Sequence, residues 1–493
     1  MALPTEDVLL YSMLAFIVVE NFIEIYLSLR QVKVYKESKK VPAELVDTIK
    51  PDTFEKARVY GLDKEQFSIF KSIITDVIIV SLEFYFGFLS LVWHKSQVFA
   101  RRFNWDHQNE IIISCIFMII LNSLNLFKDL PFKIYGTFVL EEQHGFNKQT
   151  AMFFIKDQIK GFVVGQFISI PISCAVIWIV QRGGDYFFVW LWLFTGVLTL
   201  VLMTLYPVFI APLFDKYSPL EVGPLRTSIE ELAAKLKFPL AQLYVVEGSK
   251  RSAHSNAYFY GLWGSKRIVL FDTLLVNKGK TQTTEGVDNT NETEKLTDDE
   301  HSKSRTLLKQ TLRAESEEKE TENFKENYNE NVGKGCKDEE VLAVLAHELG
   351  HWKLGHVTKN IIFMQFHLLL MFVTFAYLFK YDPLYRAVGF RVGERPVLVG
   401  LLLIVSYVLG PYNALINFLM TIVSRTFEYQ ADAFANDLGY SKELAKALIK
   451  LNIDNLGFPV YDWMYSAWNH SHPTLLQRID RLKDINNDIK KSN

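Results

Sequence analysis

Apolar residues gather along this chain in long blocks divided by charged segments, and the blocks are the right length to cross a membrane. A helix needs about 20 largely apolar residues to span the hydrocarbon core of a bilayer. Seven windows approach this: Val8–Leu29, Phe70–Trp93, Ile111–Phe127, Gly161–Val180, Tyr186–Phe214, Ile361–Phe379 and Val397–Met420. The first does not read as a cleavable signal, because Glu6 and Asp7 stand where a basic segment is needed. Its other flank is crowded with Arg30, Lys33, Lys36, Lys39 and Lys40. The positive-inside rule puts those residues in the cytosol and the N-terminus outside it. Lys133, Lys148, Lys156 and Lys160 agree with this orientation, whereas Arg101 and Arg102 oppose it. Glu20, Glu24, Asp76 and Glu83 fall inside windows. A charge at the centre of an isolated span costs about 2.5–3.5 kcal/mol, so these carboxyls should face a polar interior, an interface or a partner helix.

Between the fifth and sixth windows the pattern changes. "FPLAQLYVVEG" reads as a turn followed by a short strand, and "NAYFYGLWGSKRIVLFDTLL" as one or two more strands around a Gly-rich turn. Residues 281–335 then carry fourteen Asp/Glu and eight Lys/Arg with few apolar positions, which reads as a flexible acidic insert. The sequon at Asn291 lies in this insert, on the expected cytosolic side, so no glycan is expected. The chain thus divides into 1–214 with five membrane helices, 215–360 with strands, insert and a cytosolic helix, 361–420 with two further spans, and a C-terminal part, 421–493.

Composition narrows the class. Of 493 residues, 49% are hydrophobic and 22% charged, which suits several spans plus an aqueous portion and excludes a disordered or collagen-like chain. Three Cys (Cys115, Cys174, Cys336) give no disulfide framework. A net charge of -2 provides no basic field for nucleic acid.

Chemistry concentrates after the insert, in "KDEEVLAVLAHELGHWKLGH". Val341, Leu342, Leu345 and Leu349 form an apolar helical stripe, and His347 and His351, four apart, share one face of that helix. Both imidazoles can then reach one Zn²⁺ at about 2.0–2.1 Å. Glu348 is offset enough to miss the metal. It can take the proton of a metal-acidified water and later protonate the leaving amine. A surface helix with two idle His does not explain why polar residues interrupt so apolar a stripe. Three protein ligands are needed, and "SRTFEYQADAFAND" offers Glu428 and Asp432, four apart on one face. One could ligate the metal while the other fixes a ligand imidazole, and spacing leaves the choice open. Arg425, three residues before Glu428, could hold a carboxylate. His356 falls off the ligand face and is left out of the metal's ligand set; His367, in the sixth window, is read as an interhelical hydrogen bond. Near the C-terminus, His472 and Arg478 are candidate donors to the oxyanion of peptide hydrolysis, or else braces for the terminal helix.

Together "AHELGHWKLGH", "SRTFEYQADAFA", "EGSKRSAHSNAYFYGLWGSKRIVLFDTLL" and "SHPTLLQRI" resemble the type I CAAX prenyl proteases, integral-membrane zinc metalloproteases. The likeness covers nearly the whole chain outside the insert. It implies a mainly α fold in which seven transmembrane helices enclose an intramembrane chamber, with a zinc metalloprotease domain and small β-sheet on the cytosolic side. It implies one Zn²⁺ per chain held by His347, His351 and Glu428, with Glu348 as general base, Asp432 behind a ligand His, and His472 and Arg478 at the catalytic centre. The segment around Asn256 and Ala257 resembles the family's substrate-aligning edge strand, which can hold an extended peptide by backbone pairing. Implied substrates are prenylated CAAX proteins, farnesylated or geranylgeranylated, which lose their last three residues; some members make a second, upstream cut, as in a prelamin A-like substrate. The implied setting is the bilayer of the endoplasmic reticulum and inner nuclear membrane, with a monomeric chain, a lumenal N-terminus, and protease region and C-terminus cytosolic or nucleoplasmic. Lys490 and Lys491 occupy the positions of a dilysine retrieval signal. Two alternatives compete: a membrane quality-control metalloprotease cutting misfolded or translocon-stalled chains, and a noncatalytic scaffold or transporter, which the full ligand set and Glu348 oppose.

Overall fold

The computed structural model describes residues 4–261, 266–275 and 335–492. Apart from Gly335, the acidic insert lies outside the described residues. The long apolar blocks become helices α1 (Thr5–Glu37), α2 (Pro51–Tyr85), α3 (Phe88–Arg102), α4 (Glu110–Glu141), α5 (Ala151–Arg182) and α6 (Gly184–Phe214). After them come α7 (Pro224–Leu236), α8 (Asp338–Lys353), α9 (His356–Leu378), α10 (Val397–Val408) and α11 (Gly410–Asp437). The chain closes with α12 (Ser441–Asp454), α13 (Trp463–Asn469) and α14 (Leu475–Ser492).

Five of these helices, α1, α4, α5, α6 and α9, are each long and apolar enough to cross a bilayer. The second and seventh windows are bent pairs, α2 with α3 and α10 with α11, each turning through 62°, so the count reaches seven when each pair is one span. Both pairs also run past the apolar window. Helix α2 starts at Pro51, well before Phe70, and α11 continues beyond Met420 to Asp437.

Burial along several spans follows one pattern, packed near the ends and open in the middle, while α6 is packed only near its start, at Phe187 and Leu191. In α4 the buried residues are Ile113, Ser114, Ile116 and Phe117, and then none until Leu140. In α5 they are Phe154 and then Val176, Ile177, Ile179 and Val180. The same gap separates His356 from Met371 in α9 and Gly410 from Phe427 in α11. One apolar core, including Ile17, Trp93, Ile177, Leu191, Phe375 and Leu403, closes one end of the bundle. Between the ends, Asn122, Asn125, Asp129, Gln158, Gln166 and Ser169 line a cavity of about 540 Å³ against α6. Helices gathered at both ends and parted around polar middles form an intramembrane chamber. Three of the carboxyls expected inside spans find partners: Lys128 lies 3.3 Å from Glu83, Trp468 of α13 donates its Nε1–H to Glu24 at 2.5 Å, and Thr75 donates its hydroxyl to Asp76 at 2.8 Å. His367 faces the Tyr412 hydroxyl at 3.1 Å, the interhelical contact expected of it.

A second core closes the other end. The four-stranded sheet has the order β1-β2-β4-β3, with β1 (Tyr217–Pro219), β2 (Leu240–Val246), β3 (Ala257–Tyr260) and β4 (Lys266–Phe271). Strand β2 runs parallel to β4; the other two pairings are antiparallel, and β3 is an edge. Ile229, Leu243, Ile268, Leu270, Val341, Leu345, Leu349, Ala435 and Ala447 pack α7, α8, α11 and α12 against this sheet. The unit is tied to the membrane helices by charge. Arg251 binds Asp157 through two bonds (2.7 and 3.0 Å) and Asp215 at 2.6 Å. Arg30 grips Asp462 at 3.0 and 2.7 Å, and buried Gln31 accepts from the Asp462 backbone N–H at 2.8 Å.

Candidate active site

Helix α8 is specified at its start. Asp338, Glu339 and Glu340 fill its first turn, where carboxylates favour the positive end of the helix dipole, and Glu340 accepts from the Lys337 backbone N–H at 2.7 Å. Its apolar stripe, Val341, Leu345 and Leu349, is buried, which turns His347 and His351 toward α11. Close approach of the two helices depends on Gly350, because a Cβ there would lie 3.1 Å from Phe434 Cδ1 and 3.3 Å from Ala431 Cα.

That approach brings three ligand atoms together. His347 Nε2 and His351 Nε2 are 3.2 Å apart, and Glu428 oxygens stand 3.4 and 3.3 Å from them. Among the described residues this is a group able to hold a metal ion, its ligand atoms all within 4.8 Å of one another. Tetrahedral ligation at about 2.0–2.2 Å per bond places ligand atoms about 3.3 Å apart, so the spacing fits a first-row cation. The polar accounting fits as well. Two imidazole nitrogens face each other with no acceptor between them, and buried Glu428 Oε2 has no hydrogen bond of acceptable geometry.

Each ligand is held from behind. Asp432 Oδ1 lies 2.8 Å from His347 Nδ1, leaving Nε2 for the metal. Asp432 is fully buried and is itself fixed by Arg478, which donates Nε and Nη2 to its two oxygens at 2.9 and 2.5 Å. Burial and Arg478 push the His347 imidazole down, but the carboxylates of Asp432 and Glu428 close beside it outweigh them and hold it above its usual range. Glu348 touches none of these partners. It keeps part of its surface open, yet crowding protein pushes its carboxyl up against the pull of both His.

The remaining sequence candidates take varied positions. His472 Nδ1 lies 2.9 Å from Glu428 Oε2, with its side chain 64% exposed. Arg478 Nη1 reaches to 3.6 Å from the same oxygen, while most of its donors are used by Asp432. Arg425 does not hold a carboxylate; it donates to the Ser466 carbonyl at 3.1 Å and to Gln477 Oε1 at 2.7 Å, bracing α13 and α14. Ala257 pairs with Leu270 at the start of β3, and Asn256 Oδ1 accepts from the Ala257 N–H at 2.8 Å.

Sequence reasoning missed one contact. His356 Nδ1 lies 2.9 Å from His351 Nδ1, its Nε2 is 2.9 Å from Gln430 Oε1, and its ring stacks on Phe427 at 4.1 Å. The five-residue offset excludes this only on a continuous helix. Gly355 adopts φ 68°, a left-handed turn that ends the α8 segment and redirects the chain into α9. The available signal was the Gly itself, a common residue just past a helix end.

An unligated carboxylate beside a three-ligand metal cluster is the equipment of peptide hydrolysis. Here it stands on α8 and α11, which lead directly into membrane helices, and the chain is a membrane-embedded metalloendopeptidase. It belongs to peptidase family M48: residues 219–486 match that family, and residues 31–216 match the CAAX prenyl protease N-terminal region with five membrane helices. The chain is 45% identical to the CAAX prenyl protease 1 homolog of Mus musculus over 98% of its own length and 97% of the relative's. It is 34% identical to CAAX prenyl protease 1 of Saccharomyces cerevisiae, covering 96% and 95% of the two chains. Its fold matches the crystal structure of S. mikatae Ste24p with a TM-score of 0.79 at 34% identity, over 98% of this chain and 99% of that one.

Proposed function

We propose that this chain is a zinc endopeptidase that removes the last three residues from proteins ending in a prenylated Cys-aliphatic-aliphatic-X sequence. The observation that carries the reading is the tight grouping of His347, His351 and Glu428 with Glu348 left free beside it. The names of the similar proteins supply the substrate class. Glu428 is the third ligand rather than Asp432, because its oxygens approach both Nε2 atoms while Asp432 addresses Nδ1 of His347.

Zinc bound there would supply Lewis acidity toward the scissile carbonyl and a lowered water pKa. Glu348 takes a proton from the attacking water at its carboxylate and returns it to the leaving amine. His472, whose exposed ring can turn from Glu428 toward substrate, donates to the developing oxyanion, with Arg478 Nη1 behind it. Strand β3, an edge of the sheet, holds the extended substrate by backbone pairing, beginning at Asn256 and Ala257. Pairing of this kind ignores most side chains, so the same cleft accepts an upstream cut in a prelamin A-like substrate. The positive-inside count supports a lumenal N-terminus and a cytosolic or nucleoplasmic protease region, in the endoplasmic reticulum and the inner nuclear membrane continuous with it.

The test uses the purified protein in detergent, with zinc measured by mass spectrometry and a farnesylated CAAX peptide as substrate. Glu348→Gln should retain one zinc per chain and lose turnover by at least a thousandfold. Stoichiometric zinc with no cleavage by the unmodified protein would sink the proposal. Equal rates on prenylated and unprenylated peptides would favour the quality-control alternative.

A further inference from the structure

The peptidase chemistry occupies one end of the molecule, and a built cavity occupies the other. It lies where α3, the turn into α4, the end of α5 and the segment between α9 and α10 meet, and encloses about 560 Å³. Trp93, Ile113, Val180 and Val397 form part of its wall and belong to the buried core of that end, so its floor is fixed. Helix α9 starts at His356, beside the metal cluster, and ends just before Phe379 and Lys380 in the cavity wall. At about 1.5 Å per residue, a helix of this length separates the two places by on the order of 35 Å.

Charge in the cavity is unbalanced. Two carboxylates line it, and both are engaged. Glu110 accepts from the Val397 backbone N–H at 2.6 Å and from Gln181 Nε2 at 2.8 Å. Glu394 accepts from the Arg391 backbone N–H at 3.2 Å and faces His94 Nε2 at 3.1 Å. Arg395 is partly engaged, donating to the Lys380 carbonyl at 2.8 Å. The side chains of Arg101, Lys380 and Arg391 also line the cavity, and among the described residues none of the three makes an ion pair or hydrogen bond. Three exposed cations without a protein partner therefore line a space whose acids are already engaged, which suits a compact anion.

The surroundings identify its source. Helix α3 has 15 residues, about 22 Å at the usual rise and too short for the roughly 30 Å hydrocarbon core, and it is bent 62° from α2. It ends in an aromatic cluster of Phe99, Phe103 and Trp105, with ring spacings of 4.8 and 5.7 Å and 42%, 54% and 49% exposure. Trp105 is of a residue type enriched at the membrane–water boundary, where long Arg and Lys side chains also reach the headgroups. The proposed orientation also puts these cations on the side where Lys and Arg are usually scarce, and a bound anion would give them a counter-charge. We infer that this cavity binds the phosphate headgroup of an anionic phospholipid through Arg101, Lys380 and Arg391. The inference is independent of the peptidase reading.

The experiment follows the unfolding temperature of the full-length protein in dodecyl maltoside with added dioleoylphosphatidic acid, dioleoylphosphatidylcholine, glycerol 3-phosphate or inorganic phosphate. A saturable rise is expected with phosphatidic acid and not with phosphatidylcholine. The pair R101Q/R391Q should weaken the phosphatidic acid response at least tenfold while zinc content and peptide cleavage stay unchanged, and R101K/R391K should retain most of it. Equal rises with the two lipids, or an unweakened response in R101Q/R391Q, would overturn the inference. A full rise with inorganic phosphate would show a soluble-anion site and overturn the lipid assignment. Should the glutamine pair fail to fold, R391Q alone against R391K decides.

Discussion

Gly350 tests whether helix spacing sets the metal geometry. In Gly350→Ala the new Cβ would stand 3.1 and 3.2 Å from Phe434 atoms and 3.3 Å from Ala431 Cα. Ordinary carbon contacts are about 3.5–4.0 Å, so α8 and α11 must part by a few tenths of an ångström. Two stability terms then oppose each other. Replacing Gly inside a helix gains about 1 kcal/mol, and overpacking a tight contact costs about 1–3 kcal/mol. The net is a loss of about 0–2 kcal/mol, too little to unfold the protein. Metal ligation is less forgiving, since ligand distances tolerate only about 0.2 Å. His347 and His351 ride on α8 and Glu428 on α11, so the separation acts directly on the ligand set. The expected outcome is a small change in unfolding temperature with a 10- to 100-fold loss of zinc affinity, a range typical of disturbed ligand support.

Zinc competition against graded chelators, run beside thermal unfolding, measures both quantities. Gly161→Ala serves as control, because a Cβ at that α5 position meets nothing within 4 Å. It should carry only the helix-propensity effect. Wild-type zinc affinity in Gly350→Ala would refute the idea that this contact fixes the ligand geometry. A loss of stability well beyond 2 kcal/mol with intact affinity would assign Gly350 to folding instead.

Two further outcomes follow from contacts around the site. His356→Phe keeps the stacking on Phe427 but removes both ring nitrogens, so zinc should leave about 10- to 100-fold more readily during dialysis against chelator while the fold persists; unchanged zinc retention would remove His356 from the support of His351. Lys450 and Glu340 form a buried ion pair at 3.1 Å with side chains 8% and 12% exposed, so Lys450→Ala should cost about 3–5 kcal/mol in denaturant unfolding, and neutralising both partners as K450M/E340Q, which keeps an oxygen for the Lys337 N–H, should recover most of it.

The elements most legible in the sequence are those whose signal is local. Among the described residues, hydropathy windows fall on the five helices long and apolar enough to cross a bilayer and on both bent pairs, and the four-residue spacing of His347 and His351 placed both rings on one helix face. What the sequence hid is what depends on where one helix stops and another direction begins. A 20-residue window sees the apolar part of α2 and α11 but not their polar extensions, because a helix does not end where its apolar residues do. Those extensions matter most: the polar end of α11 carries Glu428 and Asp432, so a membrane helix brings a carboxylate beside His347 and His351. His356 was discounted because five residues along one helix is the wrong face, and Gly355 makes it two helices.

This continuity links chamber and metal. Helix α9 leaves α8, which carries His347 and His351, after a two-residue turn and enters the membrane, while α11 returns from the membrane to bring Glu428 and Asp432. Both ligand-bearing helices are thus extended by spans whose middles are unpacked and whose ends are fixed by separate cores. Gly355 and the α8–α11 contact at Gly350 join these spans to the helices that carry the imidazoles and Glu428. The interlocking carboxylate and guanidinium of Asp432 and Arg478, both buried, make that end the stiffer one. Flexing should therefore concentrate toward the chamber, leaving His347, His351 and Glu428 in register while a substrate enters.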